Sequence, residues 1–282
     1  MLRDPGFDRM FVEAIKVMRP YLDDVICIGG CANALYRIHK LAADPAPPYL
    51  GTFDSDWALP LRLPQRTKEP LSVLMKKAGF VEEPYGSSEV PFVKYRPADE
   101  TMEGDIEFLC PLSGSPGARR REPLAVEVQE GLMAQPLRYL DILAENPWRI
   151  DLGRAEPSIR MTGVMIRVPN PAAYVLQKVL IRDQGRTAAS QAKDCYYIYE
   201  VSVLFRDNLP AWAEEYGRLR SLPPSWLKRF EQEARLLFRD AHAEGPISAL
   251  DVFEAAGVEG PRLSAAVIQL AVAKMLRAFG IP

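Results

Sequence analysis

Apolar residues recur at helical spacing near the start of the chain. Phe7, Phe11, Ala14, Ile15 and Met18 form one stripe, which predicts a helix over residues 6–20 that stops at Pro20. "DDVICIGG" reads as a short buried strand running into two glycines, and "CANALYRIH" as the helix after them. "YLGTFDSDWAL" is the next strand, and "PLSVLMKKAGF" a helix ending at Gly79. "EVPFVKYRP" and "GDIEFLCPL" are β-rich and bounded by turn residues. "SGSPGARRREP" has the composition of a loop, and "LAVEVQEGLMA" and "MTGVMIRVP" return to strand character.

The texture changes at Asn170. "NPAAYVLQKVLIRDQ" opens with Asn in the N-cap position and Pro at the first helical position, followed by apolar residues at helical spacing. "RTAASQAKDCYYIYEVSVLF" continues that periodicity, and further helices are expected at about 209–219, 223–241, 247–256 and 261–279. The expected architecture is α+β: a mixed sheet with flanking helices over residues 1–168, then a helical domain over 169–282.

The composition supports a sizeable core, with 48% hydrophobic and 26% charged residues in 282. A net charge of −2 excludes a global basic field, so any anionic partner must be held by a local cluster. No run has signal-peptide or membrane-span character, so a cytoplasmic protein without membrane contact is expected. Cys27, Cys31, Cys110 and Cys195 are scattered among apolar neighbours and read as buried thiols. With only His39 and His242 available, chemistry is expected to run on carboxylates, lysines and arginines.

Five constellations could carry that chemistry. Asp54 and Asp56 alternate on a strand and point to one side, so they are either a seat for Mg²⁺ or the polar face of a solvated strand. Gly29 and Gly30 sit between strand and helix, where backbone N–H groups can approach a phosphate, although an ordinary tight turn needs glycine as well. Glu107, flanked by Ile106 and Phe108, is a candidate third ligand or general base, and Asp105 competes with it. Lys178 and Arg182 are four apart on one predicted helix, with Arg186 after Gly185 and Lys193-Asp194 beyond; such cations could hold a triphosphate or simply be solvated. Arg119, Arg120 and Arg121 form a local basic patch in a loop.

In this order the motifs resemble the nucleotidyltransferases of the DNA polymerase β-like superfamily. That family carries a glycine turn after a strand, a D-x-D strand and a third acid on a later strand. Thr52, Lys178-Val179 and Lys193-Asp194 look like the abortive-infection-type branch of bacterial toxin nucleotidyltransferases. The resemblance spans about residues 22–205.

It implies transfer of an NMP from an NTP such as ATP to an acceptor hydroxyl on a tRNA or other RNA end, a protein or a small molecule, with an antitoxin as a further partner. Mg²⁺ or Mn²⁺ would be held by Asp54, Asp56 and Glu107 or Asp105. Catalytic roles fall to Asp54, Asp56, Glu107, Lys178 and Asp194. Nucleotide contacts fall to Gly29, Gly30, Cys31, Lys178, Arg182 and Lys193. Two positions depart from the family: Gly30-Cys31 stands where Gly-Ser is usual, and "HKLAADPAPPYLG" reads as an inserted loop before the aspartates. A catalytically inactive nucleotide-binding or regulatory protein on the same fold is the alternative.

Overall fold

The structure is a computed structural model, and it describes residues 4–85, 92–112, 125–182, 184, 186–257 and 262–282. The arginine patch Arg119–Arg121 lies outside the described residues.

The chain divides into two units, one of residues 1–38 and 51–169, the other of 39–50 and 170–282. The first opens with α1 (Pro5–Met18), started by Asp4, whose carboxylate accepts from the backbone N–H groups of Gly6 and Phe7. All five residues of its expected stripe are fully buried. β1 (Ile26–Ile28) leads into α2 (Gly29–Tyr36), and β2 (Asp54–Ala58) follows. After α3 (Leu71–Lys77) come β3 (Phe80–Tyr85), β4 (Phe92–Pro97) and β5 (Asp105–Pro111). β6 (Val126–Gln129), β7 (Leu132–Leu137), β8 (Trp148–Asp151) and β9 (Met165–Val168) complete the unit.

Strands β1-β2-β5-β4-β3 form a mixed sheet, with β7 pairing parallel to β5 and β6 hairpinned onto β7; β8 and β9 form a separate ribbon. The pair that matters for function is β2 with β5, which run parallel and in register. One face of β2 is core. Ser55 and Trp57 are fully buried, the indole N–H donates to the Ser55 hydroxyl at 2.8 Å, and Phe11 of α1 stacks on the Trp57 ring. Alternation then turns Asp54 and Asp56 to the opposite face.

Three elements differ from the sequence pattern. "VEVQEGLMA", expected as one strand segment, is a hairpin of two strands, because Gly131 adopts a positive φ between them. β3 is a strand despite "EEP", which its position at the sheet edge permits, since a proline there removes no central ladder bond. β8 is a short strand that exists by pairing with β9.

The second unit is helical: α4 (Pro171–Leu180), α5 (Ala188–Leu204), α6 (Leu209–Arg218), α7 (Pro224–Leu237), α8 (Glu244–Ala255) and α9 (Ala265–Ala278). Asn170 caps α4, accepting from the Ala173 N–H at 2.9 Å, with Pro171 behind it. Every residue of α4 is buried. The helix closes at Leu180, so Arg182 stands on the turn after it rather than on the same helix as Lys178. Residues 39–50, expected as an inserted loop, are bound into this unit. Ala43 N–H donates to Leu204 O, Arg206 reaches the carbonyls of Asp44 and Pro45, and Tyr196 donates to Pro48 O. No described helix is long and apolar enough to cross a membrane.

Candidate active site

Four carboxylates share one face of the sheet. Asp54 is the Cα partner of Asp105, and Asp56 of Glu107, so alternation on two parallel strands stacks the acids in two cross-strand pairs. Asp54 is exposed, Asp56 and Glu107 are half-buried and Asp105 is buried. Gly104 sets the start of β5. Its φ is +103°, and a Cβ there would stand 2.6 Å from the Phe53 carbonyl, the acceptor for the Asp105 N–H. Thr52 is buried, and its hydroxyl donates to the Asp54 carbonyl at 3.2 Å, fixing the other strand's start.

The glycine turn lies against these acids. β1 pairs antiparallel to β2 with Ile28 opposite Asp56, which puts Gly29 beside the Asp56 carboxylate. Gly29 has φ +63°, and a Cβ on it would stand 2.1 Å from Asp56 Oδ2. No other residue fits without displacing that carboxylate. Gly30 and Cys31 continue into α2; both are buried, and the Cys31 thiol donates to the Asp54 carbonyl at 3.4 Å. Any contact Cys31 makes with a nucleotide is therefore through its backbone. Burial pushes the Cys27 thiol far above the ordinary range, with Cys31 and Asp56 adding to the shift.

Two cations on β4 complete the face, and the sequence reading did not single them out. Lys94 is the cross-strand partner of Glu107; its Nζ lies 2.6 Å from Glu107 Oε1 and 3.4 Å from Asp105 Oδ2. Arg96 donates to both oxygens of Asp105, at 2.5 and 3.4 Å, and reaches Glu83 at 3.0 Å. Burial alone would lower the Lys94 pKa, but Glu107, Asp105 and Asp54 outweigh it and hold the ammonium above its usual value. The signal was present in "KYR": two cations flanking a buried Tyr95, with the same alternation as D-x-D.

The donor set is all oxygen, which suits a hard divalent ion such as Mg²⁺ or Mn²⁺. Among the described residues no three acidic, histidine or cysteine side chains converge as a ready metal cluster. Glu107 and Asp105 face Lys94 and Arg96. Asp54 and Asp56, the other two acids of that face, are the residues that would hold such an ion.

The remaining candidates lie in the helical unit. Lys178 is buried; its Nζ donates to Asp194 Oδ1 at 2.7 Å and sits 5.4 and 5.5 Å from the ring centres of Tyr174 and Tyr197. Arg186 meets the other Asp194 oxygen at 2.9 Å, and Lys193 lies over Tyr197 at 5.6 Å. Arg182 donates to the Gln191 carbonyl and the Cys195 sulfur and pairs with Glu244. Asp194, only 1% exposed, orients Lys178 and Arg186 together.

The mixed sheet thus gathers carboxylates on one face, beside a glycine turn that opens a helix. A family model described as Nucleotidyltransferase matches residues 11–218, and the chain belongs to that family, whose members are transferases of phosphorus-containing groups. No curated protein and no solved structure matches the chain.

Proposed function

We propose that the acidic sheet face moves a nucleoside monophosphate from an NTP to an acceptor hydroxyl, with Asp54 and Asp56 holding Mg²⁺ or Mn²⁺. The observation that carries this reading is the Gly29–Asp56 cradle, where a positive-φ glycine is shaped around one carboxylate oxygen at the mouth of a helix. A bound divalent ion would supply charge neutralisation at the α-phosphate and the leaving pyrophosphate. Asp54, the exposed member of the pair, is assigned to the acceptor hydroxyl. Gly29 and Gly30 offer backbone N–H groups and a helix start to the β- and γ-phosphates. The family resemblance alone assigns Lys178, Lys193 and Arg182 to triphosphate charge; within the helical unit Asp194 orients Lys178. Glu107, as third ligand or base, works once it is released from Lys94.

On this reading residues 1–168 carry the catalytic domain, apart from 39–50, which belong with the helical domain of 169–282, and the protein works in the cytoplasm. Thr52, Lys178-Val179 and Lys193-Asp194 support placement in the toxin-like branch, with an antitoxin as partner. Growth arrest on expression of the wild-type protein, absent with Asp56→Ala, is the result that reading requires.

The nucleotide half is tested by thermal unfolding with each of the four NTPs, with and without Mg²⁺. A Mg²⁺-dependent rise in melting temperature is expected for at least one, since a ligand bound only to the folded state stabilises it by about 2.7 kcal/mol at one hundred times its Kd. No shift with any NTP refutes the assignment. A shift without any transfer identifies a nucleotide-binding regulator, for which the buried Cys31 thiol in place of a serine is the favouring observation.

A further inference from the structure

Among the described residues one aromatic ring is left to water. Phe53 is 60% exposed, whereas every other phenylalanine, tyrosine and tryptophan side chain that the structure describes is buried or half-buried. Its place sets it apart from a scattered surface hydrophobe. It directly precedes Asp54, with consecutive Cα atoms about 3.8 Å apart, so the ring starts beside the exposed member of the aspartate pair. The backbone under it is held on both sides. The Phe53 carbonyl accepts from the Asp105 N–H at 3.1 Å and closely faces Gly104. Thr52 before it is buried, and the Asp54 carbonyl after it accepts from the Thr52 hydroxyl at 3.2 Å and from the Cys31 thiol at 3.4 Å.

We propose that Phe53 is the stacking platform for a nucleobase at the Asp54 end of the acidic face. The inference rests on the nucleotidyl-transfer reading above and deepens it by giving the site a base-binding residue. A phenyl face recognises a flat π system, and every nucleotide carries one. A ring presented from a fixed backbone gives up little freedom when a ligand arrives, so the contact is not offset by ordering a loop. The base belongs either to the NTP or to a nucleotide end that offers the acceptor hydroxyl. Stacking of this kind tolerates any base, so Phe53 selects for the presence of a base rather than its identity.

The test compares ligands with and without a base. Binding of each of the four NTPs, of inorganic tripolyphosphate and of a short oligoribonucleotide with a free 3′-hydroxyl is measured by calorimetry in Mg²⁺. Wild type, Phe53→Ala and Phe53→Trp are compared, and the exposure of Phe53 means that neither variant should disturb the fold. Phe53→Ala is expected to weaken NTP or oligonucleotide binding by about 5- to 150-fold, while Phe53→Trp keeps it and tripolyphosphate binding is unchanged. A loss on the NTPs assigns the stacked base to the nucleotide donor, and a loss on the oligonucleotide assigns it to the acceptor. Unchanged affinity for both, an equal loss on tripolyphosphate, or no retention in Phe53→Trp overturns the role of Phe53 and leaves the nucleotidyl-transfer reading standing. A wild type that binds no NTP in Mg²⁺ overturns that reading, and this inference with it.

Discussion

Asp56→Ala is expected to lower NMP transfer by on the order of 10³-fold or more, the scale seen when a preorganised electrostatic group is removed from a reacting centre. The same substitution is expected to leave the fold intact. Asp56 has Ile28 as its strand partner on one side and Glu107 on the other, so its backbone is held from both sides without the carboxylate. Removing the charge relieves repulsion with Asp54 and Glu107, and stability should change by no more than about 1 kcal/mol. Incorporation of nucleotide label and a circular-dichroism melt measure the two effects. Activity within tenfold of wild type excludes Asp56 from the site. A collapsed melt would mean the residue is structural.

Asp194→Ala has the opposite signature, a large effect on stability. Asp194 is buried and faces Lys178 at 2.7 Å and Arg186 at 2.9 Å. Removing one partner of a buried pair leaves an uncompensated charge, at a cost of about 3–5 kcal/mol. Lys178 is not rescued by water, since its side chain is 8% exposed and its neighbours include the rings of Tyr174 and Tyr197. Urea unfolding should show that loss, and Lys178→Met combined with Asp194→Leu should recover much of it by removing both charges. A loss under about 1 kcal/mol for Asp194→Ala would show that the pair is hydrated and not the anchor of the α4–α5 contact.

The acidic face was legible because alternation is a local property: Asp54 and Asp56 must share a side of any strand they lie on. The choice between Asp105 and Glu107 was not, because both occupy the correct face and only the register, set partly by the close approach at Gly104, shows that each pairs with a different aspartate. Likewise the distinct role of Gly29 is a matter of one φ angle and the position of Asp56 Oδ2, which "GG" cannot express. Residues 39–50 carry the composition of a loop, yet carbonyls along them are claimed by Arg206, Asn208 and Tyr196, all more than 140 positions away. β3 was hidden because its acids and proline lower strand character, and pairing with β4 at a sheet edge overrides that preference.

The central claim concerns which phosphorus atom moves, and position-labelled nucleotide answers it most directly. Wild-type protein is incubated with Mg²⁺, total cellular RNA and protein, and NTP labelled at either the α- or the γ-phosphate. Transfer of α-label to a macromolecule or small acceptor, with γ-label released as pyrophosphate and both lost in Asp56→Ala, is the predicted result. Transfer of γ-label to an acceptor, or α-label transfer that survives Asp56→Ala, contradicts it.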